Sequence, residues 1–319
     1  MLKKSEPAAN DDDLKDFISK GSTAATATKQ KTINVRGINV SFPFEPYAGQ
    51  LKVMENIVTA LNTSQNALLE SPTGTGKSLA ILCASVAWLQ HKKDSQAKSM
   101  AALESLCSAP PPTDKVKNVP ETLPPVSDDS SDGIKIYIAS RTHKQLKQLI
   151  SELKDNTIYR PKMAILASRD FLCINDSVKN HPNKNDEWYD SILLALKSRL
   201  ILPPPIVCSN ERIKNTIKMR SRSNRRNTNE AVKTCNYFEK NFSDHKDLRS
   251  GAQLEVFDIE DLVTLGKKVC GCPYFTSRSL ALNAEIIFSP YSYLFDPAIR
   301  KAMNIKPEGN VFILDEAHK

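Results

Sequence analysis

The stretch that most constrains this chain is Ala67 to Leu82, ALLESPTGTGKSLAIL. A short apolar run, Ala67-Leu68-Leu69, meets a turn rich in Gly, Pro and Thr. Gly76-Lys77-Ser78 then opens a second apolar run that continues to Trp88. Strand, loop and helix in that order is the context of a phosphate-binding loop. The backbone N–H groups of Gly74, Thr75 and Gly76, with Thr73 in the same loop, can converge on a polyphosphate, aided by the positive end of the following helix. Lys77 then reaches the β- and γ-phosphates, and the Ser78 hydroxyl holds Mg²⁺. The first position of the strict pattern carries Ser71 instead of Gly. The competing reading is an ordinary βα turn that happens to contain a lysine.

The end of the sequence bears on that choice. Val311-Phe312-Ile313-Leu314 runs into Asp315-Glu316-Ala317-His318. Such a strand delivers Asp315 to the Mg²⁺ shell and Glu316 to a position from which it polarises an attacking water. Alone, an acid at a strand end is unremarkable; in the same chain as a phosphate loop it completes a nucleotide-hydrolysis pair.

Composition narrows the partners. The 319 residues carry 44 Lys and Arg against 36 Asp and Glu, a net charge of +8 that suits nucleic acid. Seven basic residues, from Arg212 to Arg226, crowd between Glu211 and Asn227. That run reads equally as a solvated loop, a phosphate-contacting patch or a nuclear-import signal. No run of 18 apolar residues appears, so no membrane partner is expected. The N-terminus lacks an apolar secretory core, so the seven cysteines are expected in a reducing compartment, as metal ligands or buried thiols rather than disulfides.

In chain order, residues 1–31 read as a disordered leader. Ile33 to Val40 alternates around Gly37, a hairpin pattern. FPFEPYAGQ follows and leads into an amphipathic helix over Leu51–Leu61. Gln50 stands 27 residues before Lys77. Its amide can both donate to and accept from an adenine edge, with Tyr47 packing on the ring face; a capping Gln beside core aromatics would look the same. Residues 91–133, rich in Pro, Ser and Lys, read as a flexible insertion. Strict alternation from Ile134 to Ile138 predicts a strand, followed by a Ser140-Arg141-Thr142-His143 turn and a helix with Leu146, Leu149, Ile150 and Leu153 on one face. That turn lies at the sheet edge where ligands bind in open α/β folds, unless Ser140 or Thr142 merely caps the helix. Further strands are expected at Met163–Leu166 and Ile286–Phe288, and a helix at Asp258–Lys268, acids first and lysines last.

Between these elements lie Cys173, Cys208, Cys235, Cys270 and Cys272. Separations of 35, 27 and 37 residues between Cys173, Cys208, Cys235 and Cys272 fit neither zinc-knuckle spacing nor a ferredoxin run. Spacing alone therefore leaves a metal site and buried free thiols both open.

The words SPTGTGKS, SRTHKQL, CPYFTSR, IIFSPYSYLFDPAIR and ILDEAH, in this order, resemble the iron–sulfur superfamily 2 DNA helicases, the XPD/RTEL-like group. In that family Ser at the first motif position is tolerated. FPFEPYAGQ, DIEDLVTLGKK and the Pro/Ser insertion look closest to the Fanconi anaemia group J helicases. The resemblance implies an α/β fold: a RecA-like P-loop NTPase domain with a parallel sheet, incomplete, with an inserted cysteine-rich helical iron–sulfur domain. It divides the chain into helicase domain 1 over 32–172, a cluster domain over 173–272, and a return to domain 1 over 273–319. It implies ATP, Mg²⁺ and a [4Fe–4S] cluster as cofactors, with Cys173, Cys208, Cys235 and Cys272 as cluster ligands and Cys270 left spare. Arg141, Thr142 and His143 become contacts to single-stranded DNA, Gln50 the adenine reader, and Asp315, Glu316 and His318 the DEAH motif. The implied activity is ATP-dependent 5′→3′ DNA unwinding in nuclear DNA repair, on single-stranded or forked DNA with repair proteins as partners. Since the arginine finger of such motors comes from a second lobe, worth about 10³–10⁵ in rate, this chain alone is expected not to unwind DNA. The other reading is a truncated nucleotide-, DNA- or partner-binding fragment without turnover, and a third makes the cysteines a Zn²⁺ site.

Overall fold

The computed structural model describes residues 30–72, 74–107, 133–176, 235–237 and 240–317. The expected leader (apart from its last two residues), Thr73, Cys208, the basic run at 211–227 and His318 lie outside them.

Strands β1 (Lys31–Val35) and β2 (Ile38–Phe42) form an antiparallel hairpin. Its two-residue turn uses Arg36 and Gly37, both at positive φ, the turn whose twist matches paired strands. Helix α1 (Ala48–Thr63) buries Val53, Met54, Ile57 and Val58 at helical spacing. Helix α2 (Lys77–Cys107) starts on the lysine of the Gly-rich loop.

Two sequence expectations fail around α2. Residues 91–107 belong to the helix, not to a flexible insertion; only 108–132 lie outside the described residues. HKKDSQAKSMAALESLC holds neither Gly nor Pro and is rich in good helix formers, so α2 continues without an apolar face to guide it. Ala67-Leu68-Leu69 forms no strand, and Leu68 is 94% exposed. Three residues between Asn66 and Glu70 find no strand edge among the described residues, and an unpaired extended run gains nothing by leaving water.

Next come β3 (Ile136–Ser140), α3 (His143–Asn156), β4 (Met163–Ile165) and a short α4 (Arg169–Leu172). After the cysteine-bearing stretch follow α5 (Ile259–Val269), α6 (Pro273–Asn283), β5 (Ile286–Pro290), α7 (Ser292–Phe295), α8 (Pro297–Ala302) and β6 (Val311–Leu314). The four strands β4-β5-β3-β6 form a wholly parallel sheet.

Alternate side chains supply the two faces. Ile136, Ile138, Met163, Ile165, Ile286 and Phe288 point to the layer built from α1, α2 and α3. Tyr137, Ala139, Ala164 and Ile287 pack with Tyr293, Leu294 and Ile305 on the other. A parallel sheet covered on both sides is the α/β architecture. The central strand β3 is buried along its whole length, so its carboxyl end at Ser140 is fixed from both faces. From β3 the chain moves outward to β4 on one side, and β6 lies on the other. The crevice beyond these strand ends is where open α/β sheets bind ligands.

Candidate functional site

The loop from Ser71 to Ser78 turns at Gly74 (φ 79°) and Gly76 (φ 71°), both left-handed. Ser71, the departure from the strict motif, holds the loop twice. Its hydroxyl pairs with the Thr75 hydroxyl at 2.7 Å, and its carbonyl accepts from Lys77 Nζ at 2.7 Å. Thr75 Oγ1 also donates to Pro72 O at 2.9 Å. Lys77 is therefore folded back onto its own loop, with its charge at the loop mouth.

Opposite stands the end of β6. Leu314 pairs with Ala139 in the sheet, and the Asp315 N–H donates to Ala139 O at 2.9 Å. The Tyr291 hydroxyl donates to Asp315 O, while the Tyr291 N–H donates to Ser140 O at 3.2 Å. Gly74, Gly76, Lys77, Ser78, Asp315 and Glu316 line one cleft of about 530 Å³. Burial holds the Asp315 carboxyl above the ordinary carboxylate range, the adjacent Glu316 adds to the rise, and Lys77 opposes it. A cation at this spot relieves the acid, the electrostatic demand that Mg²⁺ meets. Ser78 and Asp315 supply a hydroxyl and a carboxylate, the hard oxygen donors Mg²⁺ takes. The residues present fit the ion.

Gln50 sits under the loop. It is 3% exposed, accepts from the Tyr47 N–H at 3.0 Å and donates to Gly76 O at 3.5 Å. Tyr47 is 71% exposed and tilts against Phe44, their ring centroids 6.2 Å apart. Phe44 itself lines the cleft, so an aromatic face stands at its edge beside the loop.

In the turn after β3, Thr142 caps α3, accepting from the Gln145 N–H at 3.3 Å. Ser140 does not cap the helix; its hydroxyl donates to Gln145 Oε1 at 3.1 Å. Arg141 and Thr142 are exposed, whereas His143 is half-buried against Phe171, ring centroids 4.1 Å apart. Burial lowers the His143 pKa, with Glu260 pulling the other way. Lys147 bridges Asp258 and Glu260, both at 3.2 Å, and Lys154 bridges Asp261 at 3.2 Å. Helix α3 is thus fastened to the start of α5.

Cys173, Cys235 and Cys272 come together electrostatically. The Cys272 thiol is raised chiefly by burial; amides of Phe275 and Tyr274 at the start of α6 lower it, and Cys173 and Cys235 raise it. Asn175 Nδ2 donates to Cys235 Sγ at 3.2 Å. Cys270 is exposed, in the left-handed cap of α5, pointing to Lys267 O. No group of three or more metal-holding side chains is formed among the described residues. The thiols are neighbours without meeting in a ligating geometry.

Sequence reasoning missed Phe44 and the polar row Gln145, Gln148, Glu152 and Asn156, all of which line the cleft. The row is spaced 3, 4 and 4 residues apart, a single helix face. The signal was present in the sequence, but apolar periodicity directed attention to the other face of α3.

The sequence profile of the DEAD_2 family matches residues 138–319. The regulator of telomere elongation helicase 1 homolog of Anopheles gambiae is 35% identical over 288 residues, 89% of this chain and 25% of that protein. The Homo sapiens regulator of telomere elongation helicase 1 is 37% identical over 290 residues, 90% of this chain and 20% of that protein. The chain therefore spans a fifth to a quarter of the length of these relatives. A solved XPD helicase is more distantly similar, at 15% identity and a TM-score of 0.43, covering 85% of this chain and 32% of that one.

Proposed function

The chain belongs to the DEAD_2 family, and from that premise we propose that it is the ATP-binding part of an ATP-dependent DNA helicase. One observation carries the reading: the loop lysine, Lys77, and the acids Asp315 and Glu316 line the same cleft. In that arrangement Lys77 leaves the Ser71 carbonyl for the β- and γ-phosphates. Ser78 and Asp315 would hold Mg²⁺, whose charge would offset that of the phosphates. Glu316 orients the attacking water. Gln50 and the Phe44–Tyr47 pair receive the base.

The exposed Arg141 and Thr142 offer a guanidinium and a hydroxyl to a phosphate backbone, a salt-sensitive interaction. Single-stranded DNA is the partner proposed for that turn, with 5′→3′ unwinding, repair proteins and a nuclear setting as the wider assignment. The proposed domain division is 32–172, 173–272 and 273–319, with FPFEPYAGQ and DIEDLVTLGKK supporting kinship to the Fanconi anaemia group J helicases. A phylogeny of residues 33–317 tests that kinship.

A [4Fe–4S] cluster is proposed on Cys173, Cys208, Cys235 and Cys272. The reading is supported by the nearness of Cys173, Cys235 and Cys272, thiols outside any disulfide; burial raises the Cys272 thiol, and the backbone amides of Phe275 and Tyr274 at the start of α6 oppose that rise. When bound, such a cluster would tie together chain positions 35, 27 and 37 residues apart.

The test is fluorescent ATP-analogue binding to the chain with and without Mg²⁺. Mg²⁺-dependent binding that Lys77→Ala and Asp315→Asn each abolish is the expected result. Binding indifferent to both substitutions overturns the site.

A further inference from the structure

Gln145 both bonds the Ser140-Arg141-Thr142 turn and lines the cleft. Its Oε1 accepts from three donors at once: Ser140 Oγ, the Thr142 N–H and Thr142 Oγ1, each at 3.1 Å. The Thr142 amide can only donate, so the atom facing it is the oxygen and the orientation of the amide is fixed. The Gln145 NH₂ is left with two hydrogens and no partner among the described residues. The same side chain lines the cleft with Lys77, Ser78, Asp315 and Glu316.

The turn it holds is not an independent loop. Ser140 ends the buried central strand, and its carbonyl accepts from the Tyr291 N–H at 3.2 Å. Tyr291 in turn donates its hydroxyl to the Asp315 carbonyl. A continuous chain of hydrogen bonds thus runs from the acid end of β6 through Tyr291 and Ser140 to Gln145 and Thr142. Only Gln145 in this chain has donors to spare and stands in the cleft.

We propose that Gln145 is a positioning residue linking the nucleotide to the DNA-facing turn: its NH₂ donates to the triphosphate while its oxygen fixes Thr142 and, through it, Arg141. This rests on the nucleotide-site reading above and deepens it. The phosphate anchors the amide from one side, so the three bonds on the other side tighten and the turn is held in one conformation. Coupling is reciprocal: a turn already ordered by an oligonucleotide presents the NH₂ to the phosphate at lower cost.

The experiment titrates the full chain with a fluorescent non-hydrolysable ATP analogue and Mg²⁺, with and without saturating oligothymidylate. For the wild-type chain, oligothymidylate is expected to tighten the nucleotide about tenfold, and the nucleotide to tighten oligothymidylate by the same factor. Gln145→Glu keeps an acceptor for Ser140 and Thr142 and loses the donor. Gln145→Ala loses both. Each is expected to bring the factor to about one, and Gln145→Glu to melt with the wild-type chain, a combination that loss of folding does not produce. A wild-type factor of one, or a factor retained in either variant, overturns the proposal while leaving the nucleotide site intact. A wild-type chain that binds no nucleotide overturns both readings together.

Discussion

The two glycines of the phosphate loop provide a test in which one serves as control for the other. Gly74 and Gly76 share a left-handed backbone, so an alanine at either carries about 1–2 kcal/mol of conformational strain. Their surroundings differ. A Cβ on Gly74 meets nothing within 4 Å, whereas one on Gly76 comes within 2.3 Å of Gln50 Nε2. Gln50 is buried and cannot swing into solvent without breaking its bond from the Tyr47 N–H at 3.0 Å. A lost neutral hydrogen bond costs about 0.5–1.5 kcal/mol, and a buried polar group left unsatisfied about 1–3. Gly74→Ala is therefore expected to cost about 1–2 kcal/mol and Gly76→Ala about 2–4, the excess belonging wholly to the Gln50 contact.

Thermal denaturation without nucleotide reads the difference. At roughly 2–4 °C per kcal/mol, Gly76→Ala is expected to melt several degrees below Gly74→Ala. Gln50→Ala, destabilising on its own, is expected to cost less in the Gly76→Ala background, because the atom that clashes has gone. The coupling in that double-mutant cycle is about 1 kcal/mol or more. Equal melting of the two glycine variants, or strict additivity with Gln50→Ala, would falsify the packing of Gln50 beneath the loop.

Other expectations follow from the charges and thiols. Asp315 has its pKa raised, chiefly by burial, so its ionised form is the disfavoured one, and the stability it costs returns as pH falls into the carboxylate range. Asp315→Asn is therefore expected to raise the melting temperature of the nucleotide-free chain at neutral pH while abolishing Mg²⁺-dependent binding; a lowered melting temperature contradicts the burial argument. For His143, whose pKa is lowered, the sign reverses: stability is present above the ordinary histidine pKa of about 6.5 and is lost as pH falls through it. His143→Gln should flatten that limb of a denaturant-midpoint against pH plot, and an unchanged slope refutes the buried imidazole. Among the thiols, iron analysis of anaerobically purified protein is expected to show full metal in Cys270→Ser and loss in Cys272→Ser. The reverse pattern reassigns the ligand.

What the sequence disclosed and what it withheld divide along a physical line. Elements held by their own periodicity or caps were legible: the hairpin around Gly37, the Asp258-capped helix α5, and strands β3 and β5, whose apolar runs are buried in the sheet, with the part-exposed β6 paired beside β3. The two motifs expected to act together, at Lys77 and at Asp315-Glu316, do line one cleft. The failures lie where tertiary partners decide. Leu68 and Leu69 are apolar enough for a strand, but pairing belongs to two strands, and a run of residues cannot report whether an edge awaits it. Residues 91–107, with Lys93 tied to Glu285, stay helical chiefly through intrinsic propensity, a weaker signal than the Pro-rich sequence that follows and obscures it.

His143 shows a further limit on reading function from motif position. Arg141, Thr142 and His143 are adjacent in sequence, and the same resemblance makes all three DNA contacts. In the fold they part: Arg141 and Thr142 face solvent, while His143 turns onto Phe171, two residues before Cys173. The cause is the helix that starts there. Thr142 is the cap, with extended backbone, and His143 is the first helical residue, so their side chains leave in different directions. Lys147 and Lys154, one and three turns further on, meet the acids of α5 from the same helix, while Gln145, Gln148 and Glu152 look into the cleft. One amphipathic helix thus serves three neighbours: its apolar stripe the sheet, its polar row the cleft, its basic side the acids at the start of α5. Helix α3 is joined to Phe171 by a ring contact and to the start of α5 by three ion pairs. Part-exposed pairs of this kind contribute about 0–1 kcal/mol each, so the ring contact at His143 is expected to hold α3 to that side at least as firmly as any one of them.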